Sequence, residues 1–125
     1  MIVDTDVLIW YLRGNKKAVT ALNNRSGILI SVVSYIELIQ GVRNKKELNT
    51  IRLFIKDLPA DIIHVNDEIS SRTLLYVERY ILSHSVELAD ALIAASAVVY
   101  GVPLLTSNDK HYRPITDVEI LRFKP

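Results

Sequence analysis

An α/β domain on a mostly parallel sheet, with helices on both faces, is the architecture this sequence predicts. Two observations predict it. Short β-rich apolar runs alternate with longer stretches of helical period along all 125 residues. Carboxylates fall just after several of those runs, where open parallel sheets place their working sites. Length and a 50% apolar composition are enough to bury a real core, so residues 1–125 are read as a single domain.

The elements follow in order. "MIVD" reads as a short buried strand, and "TDVLIWYLRG" as a helix that Gly14 can stop. Residues 16–24 form a second short helix. "SGILISVVS" is rich in β-branched residues and predicts a strand, followed by a helix in "YIELIQGV". From Lys45 to Leu58, the spacing of Leu48, Ile51, Ile55 and Leu58 gives one apolar helix face, ended by Pro59. "DIIHV" is a third strand. Asn66 caps a helix running to about Leu82, with Asp67 and Glu68 favourable in its first turn. Ser85 is the expected cap of "VELADALIAASAVVY", which Gly101 and Pro103 terminate. "VPLLT" and "VEILRF" complete the sheet.

Composition narrows the chemistry. The chain has no cysteine, so disulfides and thiolate metal sites are excluded and any metal must be held by oxygen or imidazole. No apolar run approaches membrane-spanning length and the start lacks a basic leader, so a cytoplasmic protein with no membrane association is expected. The formal net charge of +1 hides an asymmetry: residues 1–56 carry nine Lys/Arg against four Asp/Glu, residues 57–125 six against ten. Arg13, Lys16 and Lys17 form one basic cluster, and Arg43, Lys45 and Lys46 another. They read either as solvated C-terminal helix ends or as contacts to a polyanion such as RNA.

The acids carry the sharper signal. Asp4 ends the first strand, and Asp6 stands in the turn entering the helix, where capping would also explain it. Glu37 is the only charge in "SYIELIQG". Asp90 is expected past the first turn of a helix apolar on nearly every side, a costly place for an unpaired carboxylate. Asp109, in "LLTSNDKHYRPI", follows the fourth strand and also suits a turn. A sheet that gathers these acids concentrates like charges that a cation must neutralise. Hard carboxylate oxygens without cysteine suit Mg2+ or Mn2+, which can activate water and stabilise a phosphoryl transition state.

Four segments in order resemble the PIN domain family, and within it the VapC-type toxin ribonucleases: "MIVDTDVLI", "ISVVSYIELIQGV", "LADALIAASAVVYGVPLLT" and "LLTSNDKHY". The resemblance covers essentially the whole chain, and the third segment joined to the fourth is its most specific part. It implies a three-layer α/β/α sandwich and an Mg2+- or Mn2+-dependent endoribonuclease. By position it implies Asp4, Glu37 and Asp90 as metal-centred acids, Asp6 as a supporting acid, and Thr5 and Thr106 as hydroxyls that orient carboxylates. The fourth segment departs from the acid-rich pattern, with Asn108 and His111 at positions that are often acidic. Asp109 or Asn108 is expected near the metal, and His111 as a structural hydrogen-bonder. The resemblance further implies a homodimer and a small cognate antitoxin.

Two rivals stay open on the sequence. "DTDVL" after a strand resembles the nucleophile motif of HAD-type phosphatases, with Lys110 available as the cation. Asn108 permits a non-catalytic PIN-like binding module.

Overall fold

Each expected strand forms, and all five pair in parallel. The computed structural model describes all 125 residues. In chain order the elements are β1 (Ile2–Val3), α1 (Thr5–Leu12), α2 (Lys16–Asn23), β2 (Ile28–Ser31), α3 (Val32–Gln40), α4 (Lys45–Asp57), β3 (Ala60–Ile63), α5 (Asp67–Tyr80), α6 (Leu88–Tyr100), β4 (Leu104–Thr106) and β5 (Ile120–Arg122). A 3₁₀ turn at Asp109–Tyr112 follows β4. The sheet order is β3-β2-β1-β4-β5. Chain progress reverses between β1 and β4, and that switch is where a parallel sheet opens a crevice beyond its strand ends.

Side-chain alternation divides the core in two. Ile2 and Leu104 face one side, packing with Ile69 and Tyr76 of α5 and Ile93 and Ala94 of α6. Val3 and Leu105 face the other, packing with Val7 and Leu8 of α1, Leu22 of α2, Leu38 of α3 and Ile51 of α4. Each face of the sheet is therefore covered, which gives the three-layer sandwich. The register Ile2↔Leu104 and Val3↔Leu105 keeps this alternation in step across the switch.

Asparagine starts three of the helices. Asn15, Asn44 and Asn66 accept the backbone N–H of Ala18, Glu47 and Ile69 at 3.0, 2.9 and 2.9 Å, satisfying donors the helix leaves free. At the end of α6, Gly101 adopts φ +65°, the left-handed cap that residues with a Cβ resist.

Several boundaries differ from the sequence reading. β2 ends at Ser31, and Val32–Ser34 enter α3 despite their β propensity. The Ser31 hydroxyl accepts the Val33 N–H at 3.1 Å and begins the helix there, a local cap overriding weak propensity. The third strand starts at Ala60 and stops at Ile63, leaving His64 and Val65 outside it. α6 begins at Leu88, so Ser85 is not its cap; Glu87 holds that position and its side chain caps nothing. The late start puts Asp90 in the first turn, where the helix dipole favours a carboxylate, rather than past it. No helix is long and apolar enough to cross a membrane.

Candidate active site

Asp4 sits at the C-terminal end of β1 and caps α1, at the topological switch. It is 5% exposed, and its carboxylate accepts three hydrogen bonds. Oδ1 accepts the Thr5 N–H at 2.8 Å; Oδ2 accepts the hydroxyls of Thr106 at 2.8 Å and Tyr112 at 2.9 Å. Those donors arrive from the end of β4 and from the 3₁₀ turn beyond it. Burial, then the neighbouring Asp6 charge, push the Asp4 carboxyl up to about 6, against the pull of its three hydrogen bonds. Two donors fill Oδ2, so Oδ1 keeps the spare lone pair.

Glu37 and Asp90 come from α3 and α6. The Thr5 hydroxyl donates to Glu37 Oε1 at 2.7 Å, and Ser34 Oγ lies 2.9 Å from the same hydroxyl. Glu37 Oε2 has no protein donor and is open. Asp90 Oδ2 lies 3.4 Å from His111 Nδ1, and Oδ1 lies 3.4 Å from the Tyr112 hydroxyl. Burial raises the Asp90 carboxyl above its ordinary range; His111 opposes this, while Glu37 and Glu87 add to it. Tyr112 is pushed well above the usual phenol value by burial and by Asp4 and Asp90, so it stays protonated as a donor.

These groups line one cleft of about 270 Å³: Asp4, Thr5, Asp6, Ile9, Glu37, Glu87, Asp90, Asn108 and His111. It holds five carboxylates and no lysine or arginine. Such a donor set fits a hard divalent cation, because the carboxylates disfavour one another's ionised forms unless a cation shares them. No three acidic or imidazole groups close into a ready-made cage. Mg2+ requires none, since it binds through one or two carboxylates and keeps several waters.

The structure sorts the expected residues. Asp4, Glu37, Asp90, Asp6 and Asn108 meet in the cleft. Asp6 is largely spent on a structural bond: Oδ2 accepts both the N–H (2.8 Å) and the hydroxyl of Ser107, and Oδ1 accepts the Val7 N–H. Asp109 is not brought in. It faces Arg113 and Arg122 at 4.0 and 3.8 Å, and Asn108 and His111 line the wall instead. The sequence reading does not single out Glu87 or Tyr112. Glu87 falls in a run that reads as helix, and Tyr112 reads as an ordinary aromatic; the Asp-Lys-His-Tyr spacing of the turn is the available signal for the latter.

Asp4 is poorly suited to the phosphatase reading. A nucleophilic oxygen must be exposed, whereas this carboxylate is buried under three donors, and the exposed Lys110 lies outside the cleft.

The basic clusters also move. Arg13 caps the C-terminus of α1, but Lys16 and Lys17 open α2, and Lys45 and Lys46 open α4. Lysines at helix N-termini oppose the dipole, so the C-terminal explanation fails for these four. Arg13 and Arg43 line a second groove of about 640 Å³ between α1, α3 and α4, which shares Ile9 and Glu37 with the cleft. Arg43 is held there by Glu47, 3.0 Å away. Trp10 and Tyr11 pack half-buried on the same layer, Tyr11 against Phe54 with ring centroids 5.3 Å apart.

The sequence matches the PIN domain family over residues 1–117. It is 36% identical over 118 residues to ribonuclease VapC10 of Mycobacterium tuberculosis, covering 90% of this chain and 85% of that protein. It is 31% identical over 123 residues to ribonuclease VapC19 of the same organism, covering 94% and 96%. Among solved structures, a toxin–antitoxin complex from Klebsiella pneumoniae superposes with a TM-score of 0.77 at 25% identity, over 94% of this chain and 93% of that one. DNA-bound VapBC from Salmonella typhimurium reaches 0.84 at 22% identity, over 97% and 96%, a likeness of fold. The chain therefore belongs to the PIN domain family, in its VapC branch.

Proposed function

We propose that this protein is an Mg2+- or Mn2+-dependent endoribonuclease, the toxin of a toxin–antitoxin pair. The observation that carries the reading is the convergence of Asp4, Glu37 and Asp90, from three separate elements, on a cleft with no lysine or arginine. The ribonuclease names of its VapC relatives support the substrate class. The complex from Klebsiella pneumoniae supports an antitoxin partner. A homodimer and a cytoplasmic location belong to the same reading.

Asp4, Asp90 and Glu37 would hold the cation, with Asn108 as a neutral oxygen donor. When bound, it supplies Lewis-acid stabilisation of charge on the scissile phosphate and acidifies water. The remaining work falls to the chain. Thr106 and Tyr112 fix the Asp4 carboxylate, Thr5 fixes Glu37, and His111 flanks Asp90. Glu37 Oε1 already accepts the Thr5 hydroxyl, so Oε2 would be the oxygen this carboxylate offers the cation. Arg13, Lys16, Lys17, Arg43, Lys45 and Lys46 attract the RNA backbone, with Arg13 and Arg43 in the groove that runs into the cleft.

The test is cleavage of defined RNAs by purified protein with Mg2+, with Mn2+ and with chelator, beside Asp90→Asn. Metal-dependent cleavage that disappears in the variant supports the reading. Equal cleavage by the variant overturns the catalytic assignment, and a protein that neither binds metal nor cleaves is a binding module.

A further inference from the structure

Tyr112 does two separable jobs. Its ring belongs to the core beside Ala94 and Ile115, a role phenylalanine would fill equally. Its hydroxyl has no use in an apolar core, where burial costs free energy unless a partner is found. At 1% exposure its partners are carboxylates alone: Asp4 Oδ2 at 2.9 Å and Asp90 Oδ1 at 3.4 Å. Thr106 reaches only Asp4.

The segment carrying Tyr112 is pinned to the sheet. Asp6 binds the Ser107 N–H, the Asn108 N–H donates to Thr106 Oγ1 at 3.0 Å, and Asp109 faces Arg113 and Arg122. The turn is thus a fixed arm with one donor at its tip, between an acid at the end of β1 and an acid in the first turn of α6.

We infer that Tyr112 is a positioning residue of the cleft: its hydroxyl donates to Asp4 and stands against Asp90, so that a divalent cation meets two carboxylates already aligned. The inference rests on the metal-dependent reading above. Hydrogen-bond partners of metal-binding side chains set affinity by fixing their orientation. Tyr112 is distinctive in spanning two elements that share no strand pairing.

The test is Mn2+ titration by calorimetry of the intact wild-type protein and of Tyr112→Phe, with thermal unfolding of both, without and with Mn2+. The phenylalanine variant is expected to keep the fold and bind Mn2+ roughly tenfold more weakly. Its unfolding temperature then rises less than that of the wild type at equal Mn2+, a readout that holds even if the variant is destabilised. Cleavage by the variant recovers when Mn2+ is saturating. Equal Mn2+ affinity in both proteins, with only a lower unfolding temperature for the variant, overturns the role of Tyr112 alone. A wild-type protein that binds no Mn2+ overturns the metal-dependent reading beneath it.

Discussion

Two adjoining hollows share Ile9 and Glu37 and are otherwise opposites. The cleft of about 270 Å³ is walled by acids whose oxygens are held by hydroxyls and backbone N–H groups at the sheet's topological switch. The groove of about 640 Å³ is lined by apolar side chains of α1, α3 and α4 and rimmed by Arg13 and Arg43. The cleft concentrates charge that a cation would relieve, and its Asp4 is fixed by donors from α1, β4 and the turn after β4. The groove offers long, exposed side chains whose positions are cheap to change. The proposed function puts chemistry on the cleft side of Glu37 and attraction of a polyanion on the groove side, so substitutions in the two should separate cleavage from binding.

The largest effect is expected from the cleft. Asp4→Asn and Asp90→Asn should each lower RNA cleavage on the order of a thousandfold, the scale of losing a charge-stabilising group. Both should leave RNA affinity in chelator intact, checked by single-turnover kinetics and filter binding. A matched loss of binding would erase the separation.

Stability should also report the buried acid. The folded value of Asp4 is raised to about 6 from 3.8, so the native state holds the extra proton between those values. Stability from this group is therefore greatest below about pH 4 and falls as pH rises through 6. A displacement of that size corresponds to roughly 3 kcal/mol. Denaturant unfolding of the metal-free protein from pH 4 to 7 should show that slope, Asp4→Asn should flatten it, and Mn2+ should offset it at neutral pH.

Arg13 at the groove, with Lys16 and Lys17 at the start of α2, predicts a smaller, salt-sensitive change. Neutralising Arg13, Lys16 and Lys17 together should weaken RNA binding. The slope of log affinity against log salt should flatten by about 0.7 for each phosphate of single-stranded RNA no longer neutralised. Cleavage at saturating RNA should stay the same. Smallest of all, Glu87→Gln should weaken Mn2+ binding a few-fold at most, because Glu87 is exposed. Asp109→Asn should leave Mn2+ affinity unchanged, since its carboxylate faces arginines outside the cleft.

Much of the fold and of the site is legible in the sequence. Alternating strands and helices predict the parallel sheet, and the acids after "MIV" and in "LADALIAASA" predict its working end. Three kinds of feature are not legible. The Ser31 boundary depends on capping within a continuous run, where one hydroxyl decides whether β-branched residues extend or coil, and the start of α6 has no side-chain cap to mark it. The choice of Asn108 and His111 over Asp109 depends on which way a 3₁₀ turn points its side chains, and Arg122, far along the chain in β5, helps draw Asp109 away. Asp6 and Asp4 share one short motif, yet only contact with Ser107 sets Asp6 apart as a clasp.

The central claim is that the cleft holds a divalent cation between the sheet and α6. Anomalous diffraction from crystals soaked in Mn2+ tests it most directly. The expected result is a peak about 2.1 Å from carboxylate oxygens of Asp4 and Asp90. Mn2+ bound elsewhere with the cleft empty, in crystals of protein that still cleaves RNA, would contradict it.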